Sequence, residues 1–468
     1  MKRYKHNLSH YKLISLDMGE LVPVAAVEVL PGDTFQHRTS ALIRVTPSLK
    51  PLMHPVNCHV AHYYVPNRLL WSGWQDFITG ESATPPPTIS GQAYAEGTLQ
   101  DYLGVPDNVN NDYLAFPVRA YNKIYNEFFR DQDLQSEVSQ DSLTIQRVAW
   151  QKDYFTAARP WPQKGDAVTL PLGTTAPVRT DATLGNAFSI TGTDGNQHEI
   201  DPTTGSSLIK IGTSAAAPLY ADLSAGTALD VVDFREAFAL QRYQEARAKY
   251  GSNYVDYLRY LGLRPSDSRL QRPEFLGSGR QVVSFSEVLN TMSAPGFDAL
   301  GTLGGHGIAA MRGNRYRRFF EEHGWVISLM YVRPKSIYVS GLPRKFSRMT
   351  KEDYYQRELE TVGAQEVLNR EVYSGHSSPE GVFGYNDRYS EYRSEPSSVA
   401  AQFRNSTSYD WHFGRIFSSD QALNSTFVTC QPTKRTFADQ VEDSLEAMVH
   451  HSLVARRMVR PAAYGSLM

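Results

Sequence analysis

Four potential metal ligands crowd the stretch HPVNCHVAH: His54, Cys58, His59 and His62. Zinc takes imidazole nitrogens and thiolates in a tetrahedron, so the residue types suit it. The spacing does not. Val60, Tyr63, Tyr64 and Val65 mark a strand. On a strand Cys58 and His62 share a face but stand about 13 Å apart, and His59 points the other way. Buried, hydrogen-bonded side chains without a metal are expected. FFEEHGW offers Glu321, Glu322 and His323 for acid/base work, but neighbours on a strand face opposite sides and do not converge on one proton. DGNQHEID sets Asp194, Asn196 and Glu199 like the start of a calcium loop, without the glutamate due at its twelfth position. A hairpin turn at TDGN, between NAFSI and QHEI, is the better reading. GTLGGHG lacks the Gly-Lys-Ser/Thr of a phosphate-binding loop and reads as flexible backbone. There is no Gly-x-Ser-x-Gly elbow and no His-Glu-x-x-His pair. Nothing here argues for an enzyme or a cofactor.

Two further patterns suit contact rather than catalysis. The N-terminus holds Lys2, Arg3, Lys5 and Lys12, with Tyr4 and Tyr11 between them and no acid. MRGNRYRRFF holds Arg312, Arg315, Arg317 and Arg318 beside Tyr316 and Phe319. Cations that pair with phosphates and rings that stack on bases hold single-stranded nucleic acid. Lys2, Arg3, Lys5, Arg315 and Arg317 are the candidate contacts. The competing readings are a solvated arm, and a loop whose arginines pair with neighbouring acids. The second pattern is FGYNDRYSEYRSEP, which interleaves Tyr385, Tyr389 and Tyr392 with Arg388 and Arg393 and adds Asp387, Glu391 and Glu395. It is too aromatic for a solvent loop and too charged for a core. Tyr and Arg are enriched where protein surfaces meet.

The elements that must position these residues are mostly strands. Residues 1–20 read as a basic, irregular arm. TFQHRTSALIRVT alternates, with Phe35, Ala41, Ile43 and Val45 on one face and Gln36, Arg38, Ser40 and Arg44 on the other. NCHVAHYYVP and WVISLMYVRP are apolar on both faces and read as central strands closed by proline. FPVRAYNKIYNEFFRD is helical, with Pro117 in the first turn and Val118, Tyr121, Tyr125, Phe128 and Phe129 as its stripe. DFREAFALQRYQEARAKYG has capping-box spacing at Asp233 and Glu236 and a stop at Gly251. A short helix in SNYVDYLRYLG follows. FADQVEDSLEAMVHHSL reads as amphipathic helix, with Phe437, Val441, Leu445 and Met448 on one face. Residues 163–230, rich in Thr, Gly, Ala and Asp, read as a β-rich excursion.

The totals bound the rest. The chain has 468 residues, 41% hydrophobic and 12% aromatic, with 27 Tyr, so it can bury a large core. That length fits two or three domains, or one domain with large insertions. A net charge of −2 excludes a strongly basic coat acting by charge alone. Two cysteines imply no disulfide framework. The basic N-terminus leads into no apolar signal region, and no apolar run reaches the roughly 18 residues of a spanning helix.

LVPVAAVEVLPGDTF, YYVPNRLLWSGWQDFITGE, FPVRAYNKIYNEFFRDQDL, DSRLQRPEFLGSGRQVVSFSEVLNT, EHGWVISLMYVRP and FGYNDRYSEYRSEPSSVAAQFR, then LNSTFV, follow one another along the chain. Together they resemble the major capsid protein of gokushovirus-type microviruses (Microviridae), small icosahedral bacteriophages with single-stranded DNA. The short arm, the ending PAAYGSLM without Pro-Gly-Leu, and the excursion depart from the family pattern.

The resemblance implies an all-β-dominated fold: a single eight-stranded antiparallel jelly roll, or viral β-sandwich. Long insertions would carry the helices and the excursion. By this reading residues 1–20 are the arm, 21–468 the jelly-roll capsid domain, and 163–230 an outer threefold protrusion. It implies a shell of about sixty copies with T=1 geometry, assembled in the bacterial host cytoplasm as part of the virion. The expected partners are the chain itself, a circular single-stranded DNA genome on the inner surface, a small basic DNA-packaging protein and a host cell-surface receptor. Tyr385, Arg388, Tyr389, Tyr392 and Arg393 would then lie at a subunit boundary, the alternative being an internal loop. Asp194, Gly195, Asn196 and Gln197 would serve host attachment, the alternative being a loop that only buttresses neighbouring subunits. The rival functions are a β-sandwich carbohydrate-binding or hydrolytic protein, which needs paired carboxylates in a cleft, and a nucleic-acid-binding module, which the charge opposes.

Overall fold

The computed structural model of the chain describes all residues except 1, 92, 107–110, 169–177, 180–188, 192–196, 200–219, 222–230, 292–301, 314 and 461–468. It divides into two units, residues 1–164 with 245–468, and residues 165–244.

Alternation governs the larger unit. Its longer strands are β1 (Tyr4–Asn7), β2 (His10–Leu16), β3 (Val22–Val29), β4 (Thr34–Ser48), β5 (Val56–Pro66), β6 (Glu274–Leu289), β7 (Leu303–Arg312), β8 (Tyr316–Phe319), β9 (Gly324–Pro334), β10 (Ala364–Leu368), β11 (Val382–Asp387) and β12 (Leu445–Arg457), beside a two-residue pair, Thr88–Ile89 with Tyr113–Leu114. One antiparallel sheet runs β1-β12-β4-β7-β6-β5-β9-β3, with β2 also on β12 and β8 also on β4. Since β2 continues the line of β1, and β8 that of β7, ten strands lie along eight lines. The strand count thus differs from eight. The architecture is the expected strand-dominated one, a curled antiparallel sheet of jelly-roll type with insertions. In β4, Phe35, Ala41, Ile43 and Val45 are buried, as their alternation requires. β5 and β9 are central strands, paired on both sides.

Four expectations need correction. Residues 1–20 are not irregular: β1 and β2 pair with the far end of the chain, Lys5 opposite Arg456 and Leu13 opposite Met448. HYKLISL alternates, and a partner strand lay where sequence distance hides it. Its Lys12 turns inward, donating to the Pro23 carbonyl (3.1 Å) and to that of Tyr102, so it links the two curling edges, β2 and β3. Burial pulls its pKa down to about 8. FADQVEDSLEAMVHHSL is no helix: Leu445, Ala447 and Val449 enter the core at period two in β12, while Met448 and Val441 face solvent. LGGHG, from GTLGGHG, is not loose backbone but the start of β7, where its glycines give clearance. A Cβ on Gly307 would stand 2.7 Å from Val45 Cγ2, and one on Gly305 2.9 Å from Pro51 Cα. Asp233 is not an N-cap, because the helix Val231–Tyr250 starts two residues earlier. Gly251 does end it, at φ +103°.

Inside the curl, Leu16, Ile43, Val56, Val60, Val332, Leu445 and Val449 form one core. Across β5 and β9, the helix Phe116–Ile124 forms a second with Tyr63, Val65, Ile327 and Leu329. Each such side chain, fully buried, stabilises the fold by about 1.5–3 kcal/mol. Tyr121 sits wholly inside and still satisfies its hydroxyl, donating to the Leu21 carbonyl (2.8 Å) and accepting from the Gln146 amide (2.9 Å).

The smaller unit holds two short antiparallel pairs, Ser189–Thr191 with Gln197–Glu199 and Val178–Arg179 with Tyr220–Ala221. The strands flanking TDGN are therefore paired. Asp194, Gly195 and Asn196 lie outside the described residues, and Gln197 is placed by its pairing with Thr191. Where the chain leaves the larger unit and re-enters it, Lys164 and Ser252 both bond the carboxylate of Asp133, which also pairs with Arg159 at 2.8 Å. Burial of Asp133 opposes its charge. The Ser252 hydroxyl, Arg159 and Lys164 outweigh it and hold its pKa below the usual carboxylate range. The stability this adds is present above the unfolded carboxylate pKa and lost as pH falls through the lower, folded one. Asp133→Asn should cost about 1 kcal/mol: it weakens charge-assisted hydrogen bonds in a part-buried site, while Arg159 keeps Asp131 at 3.6 Å. Urea unfolding checks this, and an unchanged midpoint would show that the clamp contributes nothing to stability.

Candidate nucleic-acid interface and subunit boundary

The two basic stretches of the sequence meet on one sheet face. Residues directly opposite in an antiparallel sheet point the same way. Away from the core, Lys5 lies opposite Arg456, Gln36 opposite Arg317, Ser40 opposite Arg312, and Arg44 opposite Glu446. Arg38 stands on the same face of β4, and Arg315 donates to the Gln36 side chain at 3.2 Å. Lys5, Arg38, Arg44, Arg312, Arg315, Arg317 and Arg456 thus share a face whose registered positions hold one acid, Glu446. Tyr11, 67% exposed, stacks on His450 at 4.3 Å between ring centroids.

The remaining arm cations are tethered. Lys2 lies over the Tyr4 ring. Arg3 donates to the Gly32 carbonyl and Thr34 hydroxyl, both at 3.0 Å, and covers Phe319. Arg318 leaves the group to pair with Glu274 at 2.6 Å. The sequence reading missed Arg38, Arg44 and Arg456 as members. Their signal was the run of cations at the polar positions of an alternating strand.

The Tyr/Arg stretch is braced from within. Tyr385 exchanges backbone hydrogen bonds with Arg159 (2.7 and 2.8 Å). Tyr389, at φ +62° and only 3% exposed, accepts from the Gln356 amide at 2.9 Å and packs on Tyr355. Arg388 lies over the Tyr389 ring. Tyr392 and Arg393 are exposed. Arg348 stacks 4.2 Å from the centroid of Tyr392, and Arg393 pairs with Glu360 at 3.3 Å. Tyr389 therefore holds the stretch in place, and Tyr392 and Arg393 are the members that face outward.

The potential metal ligands disperse. His54 bonds the Lys335 carbonyl (2.7 Å), Cys58 meets Met311 sulfur, His59 stacks on Tyr331, and His62 bonds Ser328 (2.8 Å). Among the described residues no group of three His, Cys, Asp or Glu is placed to hold a metal ion. Glu322 pairs with Arg68 at 2.6 Å and His323 packs on Trp74, so no acid/base pair forms there. What no motif announced is a buried histidine ladder. His37 shares hydrogen bonds with His451 and with Tyr316, each at 3.0 Å, and His62 packs on His37 with ring centroids 4.7 Å apart.

Among the described residues no helix is long and apolar enough to cross a membrane. The family described as capsid protein (F protein) matches residues 1–463. The chain is 32% identical to capsid protein VP1 of Bdellovibrio phage phiMH2K, covering 91% of this chain and 87% of that one. It is 30% identical to capsid protein VP1 of Chlamydia phage 1 (92% and 89%) and 30% identical to that of Spiroplasma virus 4 (91% and 87%). A match of this extent sets aside the hydrolytic rival. The cationic sheet face and the braced Tyr/Arg surface therefore sit on a virion component: by this match the chain is a member of the capsid protein (F protein) family, a structural major capsid protein of the Microviridae.

Proposed function

We propose that about sixty copies of this chain close into a T=1 icosahedral shell around a circular single-stranded DNA genome, assembled in the bacterial host cytoplasm. The observation that carries this reading is the sheet face with seven cations and one acid, in a chain whose net charge is −2. Such segregation suits a surface that meets a polyanion. Lys2, Arg3, Lys5, Arg315 and Arg317 then contact the genome. The −2 total falls far short of neutralising DNA in bulk, so a small basic packaging protein or polyamines supply most of the counter-charge. Tyr392 and Arg393, braced by Tyr385, Arg388 and Tyr389, lie at a subunit boundary. The excursion at 163–230 projects outward at the threefold axes, and Asp194, Gly195, Asn196 and Gln197 take part in attachment to a host receptor.

Ultraviolet crosslinking of purified particles tests the genome contact. Crosslinked peptides should come from residues 2–12 and 312–319. Crosslinks confined to 383–396 would overturn it. Deleting 192–197 should leave particle yield intact and lower adsorption to host cells. Full adsorption by that deletion would remove the attachment role, and a particle map with the excursion inside would remove its placement.

A further inference from the structure

Residues 342–362 expose more apolar surface than a charged neighbourhood accounts for. Leu342, Phe346, Met349, Tyr354, Tyr355 and Val362 all face solvent, Phe346 at 62% and Met349 at 85%. These side chains do not hang on a loose loop. Three 3-10 turns, Arg344–Phe346, Lys351–Asp353 and Arg357–Leu359, shape the segment. Thr350 and Asp353 cap one another reciprocally, and the Asp353 carboxylate accepts from the Met349 and Thr350 amides at 2.9 and 2.8 Å. Arg348 is held over Tyr392 and by Glu391 at 3.5 Å. Ordering is complete before any partner arrives, so binding here loses little conformational entropy.

We infer that this surface docks a second copy of the same chain, turned about a twofold axis. The inference rests on the reading of the chain as a self-assembling shell protein and names the surface that reading leaves open. The charges decide the occupant. Lys351, Glu352, Arg357, Glu358 and Glu360 are exposed around the apolar residues and mix both signs within one short segment; Lys351 pairs with Glu352 (3.6 Å) and Glu360 with Arg393 (3.3 Å), exposed pairs that can exchange partners across a contact. In an isologous contact a residue meets its own surroundings reversed, so such a mixture offers each copy an anion for its cation. The cationic sheet face offers the opposite: seven like charges would repel their copies. The apolar centre with aromatic and methionine side chains, rimmed by mixed charge, is the anatomy of a protein interface.

The test uses the full chain. Phe346→Glu with Met349→Glu, both exposed and hence tolerable to the fold, should lower shell yield about tenfold, a loss of about 1.4 kcal/mol. The unfolding midpoint should stay as in the wild type. We place the twofold at Met349, the most exposed of these side chains, so Met349→Cys, treated with diamide in assembled shells, should give disulfide-linked dimers: only next to the axis do equal positions come within disulfide reach. Shells at wild-type yield from the double glutamate variant would overturn the surface. Assembly lost in that variant, with no disulfide-linked dimers from Met349→Cys shells, would overturn the twofold arrangement. Wild-type protein that forms no shells under any condition would instead overturn the assembly reading on which both depend.

Discussion

Lowering the pH from about 6.5 to 4.5 should destabilise the subunit by about 3 kcal/mol per pH unit on average, as three histidines stay largely neutral in the fold and charge on unfolding. His37 is pulled from 6.5 to about 2, His451 to about 3 and His62 to about 4. Burial is the first cause in each. For His37 the neighbouring His62, His451 and His10 add to it, and for His451, His10 and His62. The groups that face the ladder are Tyr316, Thr39, Ser328, the ring of His10, Lys12 and the Val24 backbone; Lys12 adds to the lowering of His451, the Val24 backbone opposes it, and none of them is an acid. The sign follows directly. Above about pH 6.5 both states are neutral and nothing is lost. Below it the unfolded chain takes up protons that the folded one refuses, so stability falls until the folded values are reached. His54 and His59, each lowered to about 4 chiefly by burial, steepen the same window. Urea unfolding at pH 7, 6 and 5 reads the slope, and replacing both His37 and His451 by Gln should flatten it by about two protons. A wild-type slope under about 1.4 kcal/mol per unit, the worth of one proton, would sink the ladder.

That ladder shows why sequence reading stopped where it did. Each member sits on a different strand, and hundreds of residues separate His37 from His451. Only the β4–β12 register brings them together. Periodicity is local, so it found β4, β5 and β9 from their own alternation or apolar runs. It failed at β12, where the pattern around Leu445 and Met448 fits both periods over a few residues. Only the partner strand, absent from local sequence, decides between them. The arm failed for the same reason. HYKLISL alternates, but an edge strand without a visible partner reads as a tail. The separation of His54, Cys58, His59 and His62 was legible, because strand geometry spreads them without knowledge of their neighbours. The genome-facing candidates were half legible. Both cationic stretches could be seen, but not that β12 and β4 would set them side by side with Arg38, Arg44 and Arg456.

Neutralising part of that face should separate its role from the rest of the fold. With Arg312, Arg317 and Arg456 replaced by Gln, binding of the full chain to a thymidine oligonucleotide should lose about two units of salt slope, or about a hundredfold in affinity at 0.1 M salt. Each phosphate contact on a single strand contributes about 0.7 to that slope through released counterions. The three arginines are exposed, and none forms an ion pair among the described residues, so the fold gives up nothing with them. Arg318 is the internal control. It is one residue from Arg317, yet it is paired with Glu274, and Arg318→Gln should leave the salt slope unchanged. If Arg318→Gln lowers the salt slope by as much per residue as the triple variant does, general charge rather than this face holds the strand. If the triple variant alone flattens the slope while shells still form, the two surfaces divide the work: the cationic sheet meets the polyanion, and the mixed-charge turns at 342–362 meet another copy.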